Sequence, residues 1–353
     1  MNEVSVRPHT PPFHTLELPG AGGAIGPAPE DFRVDEIPAY VASGSGEHLY
    51  VRVEKRAMTT QDLVRRVAEA AGVEPRDVGY AGLKDKYAVT TQWLSLPRLA
   101  SDPATWTLPD GARVLEASRH ANKLRTGHLV ANRFRITLTG VDAGALERGR
   151  RIAERLLASG LPNYFGAQRF GREGENLSRA LDWLRGGARR RLSAFLVKLY
   201  PSVLQSEIFN RYLTLRSGLG LSQLFSGDVV RLEGSGAQFR VEDVSVESPR
   251  LARRDVHLTG PMIGPKMRPA SGRPLELELE ASVAAGADSA VVETLARFAP
   301  GTRRDLLVFP SELELASEPD RLVLDFVLPA GSYATVMVRE FTRSETRGAF
   351  ELD

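Results

Sequence analysis

A chain of 353 residues, 42% apolar and 25% charged, can bury a sizeable core, and its length suggests two domains or one large domain with an insertion. The absence of cysteine excludes disulfides, thiolate metal sites and cysteine nucleophiles, and fits a cytoplasmic protein. No apolar run approaches the roughly 18–20 residues a membrane helix needs, no signal-peptide pattern opens the chain, and the six histidines fall at no metal-ligand spacing.

The first two dozen residues, rich in Pro and Gly, read as an irregular lead-in. "HLYVRVEKR" (His48–Arg56) alternates Leu49, Val51 and Val53 with polar neighbours, as a half-buried strand does. Thr59 or Thr60 then caps a helix with the apolar stripe Leu63, Val64, Val67, Ala68 and Ala71, stopped by Gly72. A short apolar approach through Val78 and Tyr80 leads into "GYAGLKDKYAVTTQW", where Gly82 permits a tight backbone, and "AVTTQWLSL" continues as a strand to Pro97. "NRFRITLTG" (Asn132–Gly140) puts Phe134, Ile136 and Leu138 on one strand face and Arg133, Arg135 and Thr137 on the other. Residues 142–160 read as a helix. From Pro162 the texture changes to a Gly- and aromatic-rich loop, "PNYFGAQRFGREGEN", then helical patterns over 177–184 and 194–215. Short strands and turns are predicted from there to about Pro274, and a helix over Ser289–Phe298. Strand texture returns with "RLVLDFVLPAGSYATVMVRE". Strands at both ends around a mixed segment suggest a catalytic sheet interrupted by an insert at roughly 161–303.

The net charge of +2 is too small to argue for a polyanion, but its distribution does. Three spans lack Asp and Glu: between Glu116 and Asp142, with Arg119, Lys123, Arg125, Arg133 and Arg135; between Asp182 and Glu207, with Arg185, Arg189, Arg190, Arg191 and Lys198; and between Asp255 and Glu276, with Lys266, Arg268 and Arg273. Phosphate backbones are met by such concentrated charge. Solvated faces with counter-ions elsewhere in the fold are the plainer reading of any one span.

Asp85 lies between Lys84 and Lys86. Lys-Asp-Lys on a loop is more often a solvated turn than a catalyst, yet flanking cations favour an ionised carboxylate fit to act as nucleophile or base. No phosphate-binding Gly-Lys-Ser/Thr loop, no Gly-x-Ser-x-Gly elbow and no carboxylate cluster suited to magnesium is present. In "NYFGAQRFGRE", Tyr164, Phe165, Arg169, Phe170 and Arg172 among glycines suit an unstacked RNA base, or else anchor a domain junction as core.

These motifs resemble the TruD family of tRNA pseudouridine synthases. "PEDFRVDE", "GEHLYVRVEK", "AGLKDKYAVTTQW", "HANKLRTGHLVANRF", "NYFGAQRFG" and "LPAGSYATVMVRE" occur in the family's order from about Pro29 to Glu340. The resemblance implies an α+β fold: a pseudouridine-synthase-like catalytic domain with a mixed, largely antiparallel sheet (1–160 plus 304–353), carrying an inserted α/β, RNA-binding TRUD domain (161–303). It implies conversion of a specific uridine of tRNA, uridine 13 in the D arm, to pseudouridine without metal or organic cofactor. A monomer with tRNA as partner, no obligate protein partner and no membrane association is expected. Asp85 takes the place of the family's catalytic aspartate, attacking the ribose anomeric carbon or removing a 2′ proton; attack on the base's C6 is an older proposal. Phe32, Asn132 and Tyr333 fall on base-contacting positions, with Phe134 a further pocket candidate. Lys84 and Lys86 are expected to hold Asp85 ionised or meet the RNA backbone, as are Arg119, Lys123, Arg125, Arg169, Arg189, Arg190 and Arg191 for the backbone alone. Two positions depart from the family pattern: Tyr333 stands where a Phe is familiar, and Gly26 where a lysine is expected near the site, a charge that Lys84 or Lys86 would supply. The competing readings are an RNA-binding protein of the same fold without activity, against which the intact Asp85 motif argues, and a metal-dependent nuclease or nucleotidyl transferase, which lacks a second acid near Asp85 in the sequence.

Overall fold

The structure is a computed structural model and describes residues 7–344. The chain divides into two compact units, a sheet unit of residues 17–159 and 309–344 and a helical unit of residues 7–16 and 160–308. The start of the lead-in thus groups with the helical unit, where the His9 amide donates to the Glu207 carboxylate (3.0 Å) and the His9 ring bonds Thr214 Oγ1 (2.7 Å).

The sheet unit opens with β1 (Gly22–Ile25), β2 (Phe32–Pro38), β3 (His48–Arg56), α1 (Thr60–Ala71), β4 (Gly79–Tyr80), β5 (Val89–Pro97), β6 (Ala112–His120), β7 (Leu129–Val141) and α2 (Ala145–Ser159). The helical unit adds β8 (Leu161–Pro162), α3 (Glu175–Arg185), α4 (Ala194–Ser217), β9 (Val229–Leu232), β10 (Gln238–Arg240), α5 (Val244–Ala252), β11 (Val256–Met262), α6 (Gly272–Ala284), α7 (Ser289–Ala296), β12 (Thr302–Asp305) and β13 (Leu307–Val308). The chain returns to the sheet unit with β14 (Ser311–Glu318), β15 (Arg321–Pro329) and α8 (Ala334–Thr342).

The main sheet has the order β14-β15-β7-β2-β5-β3-β6, with β1 also on β7 and β4 also on β5. Every pairing in it is antiparallel except β2 with β5, so the expected mixed, largely antiparallel α+β sheet is what forms. Alternation in β3 drives Leu49, Val51 and Val53 inward, against Leu94 and Leu96 of β5 and the Leu63, Val64, Val67 and Ala71 stripe of α1. Each such Leu or Val side chain contributes roughly 1.5–3 kcal/mol on burial. Thr59 Oγ1 caps α1 by accepting from the Asp62 amide (2.9 Å), and Gly72 ends it at φ 70°. The register carries this face across the sheet to Leu322 of β15, over which Gly149 of α2 packs, so α1 and α2 cover the same face.

In the helical unit β10-β9-β11-β12 form an antiparallel sheet beside α4, which is buried along most of its length. Two fully buried ion pairs, Arg216–Asp228 (3.1 Å) and Arg303–Glu278 (2.7 Å), stand in this unit. Among the described residues no helix is long and apolar enough to cross a membrane.

Three local expectations are corrected. The strand texture over 321–340 ends at Pro329, and "ATVMVREFT" is the helix α8. Its residues Ala334 to Val338 are consecutively buried, so no helical stripe shows in the sequence, and packing overrides their β-branched preference. The turns expected before Pro274 include α5, capped by Asp243 accepting from the Ser245 amide (2.8 Å); the internal Pro249 disguises it. The irregular lead-in contains β1, which pairs with β7.

Candidate active site

Polar side chains interrupt the apolar face of the main sheet at one place. Register sets Lys55 of β3 opposite Thr90 of β5, Thr90 beside Val34 of β2, Val34 opposite Phe134 of β7, and Phe134 opposite Phe326 of β15. Glu36 and Asn132 face one another two residues further along the same β2–β7 pairing. The Lys84-Asp85-Lys86 segment, irregular between β4 and β5, is bonded to this patch and to the start of α1.

Four contacts fix that segment. The Lys84 amide donates to Thr60 Oγ1 (2.9 Å), whose hydroxyl donates to Gln92 Oε1 (3.2 Å). Lys55 Nζ, wholly buried, donates to the Asp85 carbonyl (2.7 Å) and to the Met58 carbonyl (2.6 Å). Lys84 Nζ donates to Asn132 Oδ1 (2.8 Å) and lies 2.9 Å from Glu36 Oε2, with both side chains buried. Glu36 Oε1 in turn accepts from the Trp93 amide (3.2 Å). Asp85 itself is half-buried, while Leu83 and Tyr87 stand exposed on either side.

The electrostatics differ from the sequence expectation. Burial pushes the Asp85 carboxyl up from its ordinary value, and the charges that offset part of that rise are Lys55 and Lys84. Lys86 is not among them; its ammonium lies over the Tyr87 ring, 5.4 Å from the centroid. Burial also pulls the Lys55 ammonium down from 10.5 to about 8, against the pull of Asp85, and Lys84 lowers it further. A carboxylate partly stripped of water is more basic and more nucleophilic than a solvated one.

Phe32 and Phe134 are buried and meet edge to face at 6.2 Å, and Phe134 stacks on Phe326 at 5.3 Å. Tyr333 occupies the position just before α8, on the turn that leaves β15 just after Leu328, the partner of Asn132. A Cβ at Gly26 would fall on the Asp31 carboxylate, which already accepts from the Ala28 amide (3.0 Å), so no lysine fits there as Asp31 is placed. The nearby cations come instead from Lys55 and Lys84. Gly82, expected to allow the tight backbone, has neither a positive φ nor a close neighbour; Gly79 is the constrained one, where a Cβ would strike the Leu124 carbonyl.

Lys55 and Glu36 escaped the sequence reading. The signal was present: each continues an otherwise apolar strand face, Lys55 after Leu49, Val51 and Val53, and Glu36 after Phe32 and Val34.

The family model for tRNA pseudouridine synthase D (TruD) matches residues 12–180 and 175–341. The chain belongs to the TruD family. A tRNA pseudouridine synthase D of Anaeromyxobacter dehalogenans is 46% identical over 95% of this chain and 97% of its own length. Another, from Thermus thermophilus, is 40% identical over 99% and 97%. The crystal structure of a TruD candidate from Methanosarcina mazei superposes with a TM-score of 0.72 at 24% identity, covering 94% of this chain and 95% of that one, and shows the same fold.

The basic residues of this TruD chain divide by their partners. Arg133 and Arg135 are paired with Glu312 and Asp325, acids far away in sequence, as a solvated face would have it. Arg169 spends its guanidinium on Ser202 (2.6 Å) and Ser206 (3.3 Å) of α4. Arg125 is exposed, and Lys123 donates to the Arg76 carbonyl (3.3 Å). Arg119 lies on β6. Arg189, Arg190 and Arg191 are exposed on the turn between α3 and α4. Among the described residues no acid pairs with Arg119, Lys123, Arg125 or these three.

Proposed function

We propose that the chain isomerises a specific uridine of tRNA, uridine 13 of the D arm, to pseudouridine, with Asp85 as the reacting carboxylate. The observation that carries this reading is Asp85 set on a loop pinned by the buried Lys55 and Lys84, the latter bonded to Asn132, in a chain of the TruD family. The reaction breaks the bond from C1′ to N1, turns the uracil and joins C5 to C1′; the C5 proton leaves and N1 gains one, so composition is unchanged. Asp85 either attacks C1′, giving a ribosyl ester, or removes the 2′ proton, giving a glycal.

Asn132 Oδ1 is taken by Lys84, which orients the amide and leaves Nδ2 to donate to a uracil carbonyl. The detached uracil carries negative charge, which the Lys84 ammonium behind Asn132 stabilises. Phe32, Phe134 and Tyr333 offset the stacking lost when the base leaves its helix, a cost of a few kcal/mol. In this reading the sheet unit is the catalytic domain and the insert at 161–303 contributes RNA binding.

Asp85→Asn is expected to keep tRNA affinity within a few-fold and to abolish pseudouridine formation; substantial turnover by that variant would sink the assignment. Mapping pseudouridine across total tRNA from a strain lacking the protein, before and after adding it back, identifies product and position together.

A further inference from the structure

The helical unit contains a concavity of about 490 Å³ between the C-terminal half of α3, the turn that follows and the first turns of α4. Its size suits a nucleotide. Trp183 and Tyr200, both largely buried, line its aromatic floor with their exposed edges, their rings tilted edge to face at 6.1 Å, with Leu196 beside them. Trp183 is held from behind by Phe298 at 4.8 Å. The turn is set by the floor itself: Trp183 Nε1 donates to the Arg190 carbonyl (3.1 Å), the Trp183 carbonyl accepts from the Ala188 amide (2.9 Å), and Ala188 is held at φ 58°, a conformation a non-glycine residue rarely adopts.

Charge lines the opening unevenly. Arg189 and Arg190 lie on one side without an acid partner among the described residues. Arg179 is already bound to Glu175 (2.9 Å). Asp182 is exposed on the α3 side, and among the described residues no cation pairs with it. A floor of aromatic and aliphatic surface, two unneutralised guanidiniums and one unpaired carboxylate match the three parts of an unstacked nucleotide: base face, phosphate and a donor-bearing base edge. A carboxylate accepts from N–H donors and repels a carbonyl-rich edge, so it selects against uracil. Guanine, with N1–H and N2–H₂ side by side, offers two donors to its two oxygens.

We propose that this pocket holds an unstacked guanine nucleotide of the RNA substrate, with Asp182 on the Watson–Crick edge, Trp183 and Tyr200 against the base, and Arg189 and Arg190 on the flanking phosphate. The proposal rests on the reading of the chain as a tRNA-modifying enzyme, and it adds a second, non-reacting base contact of opposite preference to the uridine site. The test uses the full chain, 5′-labelled trinucleotides AGA and AUA followed by anisotropy, and steady-state pseudouridine formation on an unmodified tRNA transcript. AGA is expected to bind about tenfold more tightly than AUA. Asp182→Asn, at an exposed position, is expected to remove that preference and to raise KM for tRNA with kcat unchanged and thermal unfolding unmoved. Arg189→Glu with Arg190→Glu should weaken both trinucleotides. Equal binding of AGA and AUA by the native chain, or a preference that survives Asp182→Asn, overturns the pocket. If no pseudouridine forms while the Asp182-dependent preference is present, the enzymatic reading falls and the pocket stands.

Discussion

Lys55→Met separates the two things a buried lysine does here. Methionine keeps most of the apolar stem and removes the ammonium, leaving the Asp85 and Met58 carbonyls without that donor. A fully buried carbonyl left without a donor costs roughly 1–3 kcal/mol, an upper bound for these two part-buried ones. Against this, the drop of the Lys55 pKa from 10.5 to about 8 corresponds to about 3 kcal/mol of penalty for holding the charge in the interior, which methionine does not incur. The two effects oppose each other and overlap in size, so stability at pH 7 should change by no more than about 3 kcal/mol. Turnover should not be spared, because the Asp85 backbone loses its anchor, and a displacement on the order of 1 Å costs about 10²-fold in kcat. The pH dependence gives a second readout. The folded chain releases the Lys55 proton near pH 8 while the unfolded chain keeps it to 10.5, so this group makes the native protein more stable as pH rises across that window. The native kcat should fall above pH 8 as the anchor loses its charge, and that alkaline limb should be missing from Lys55→Met. Denaturant unfolding on either side of that pKa and single-turnover pseudouridine formation across the range measure all three. A variant with native kcat and an unchanged alkaline limb would refute the role given to Lys55.

The acid limb of kcat should lie above the ordinary aspartate range, because burial pushes the Asp85 carboxyl up; single-turnover rates on the acid side of neutrality locate it. Lys84→Met removes one of the two charges opposing that rise, so it should move the limb to higher pH and lower kcat together. Lys123→Glu with Arg125→Glu should weaken tRNA binding and reduce the slope of log affinity against log salt, read by filter binding at several salt concentrations.

The parts legible in the sequence are those whose cause is local. Alternation in His48–Arg56 gives β3 to the residue, and Thr59 and Gly72 bound α1, because a strand's period and a helix's caps depend on near neighbours. The placing of Asn132 and Phe134 on one strand face followed from the same period, and the order of the long motifs pointed to the family. Where local preference and packing disagree, the sequence misleads: "ATVMVREFT" has the composition of a strand and the burial of a core helix.

The site itself belongs to the tertiary structure. From the sequence, Asp85 had Lys84 and Lys86 as its cations and Gly82 as its hinge. In the fold, Lys86 turns to Tyr87, Gly79 is the constrained glycine, and the second cation is Lys55, far earlier in the chain. Sequence determined that a carboxylate would stand among cations between two strands. Only the pairing of β3, β5, β2 and β7 decided which cations, because those strands bring Lys55, Glu36 and Asn132 to one patch, and because the burial they impose raises the Asp85 pKa more than the lysines lower it.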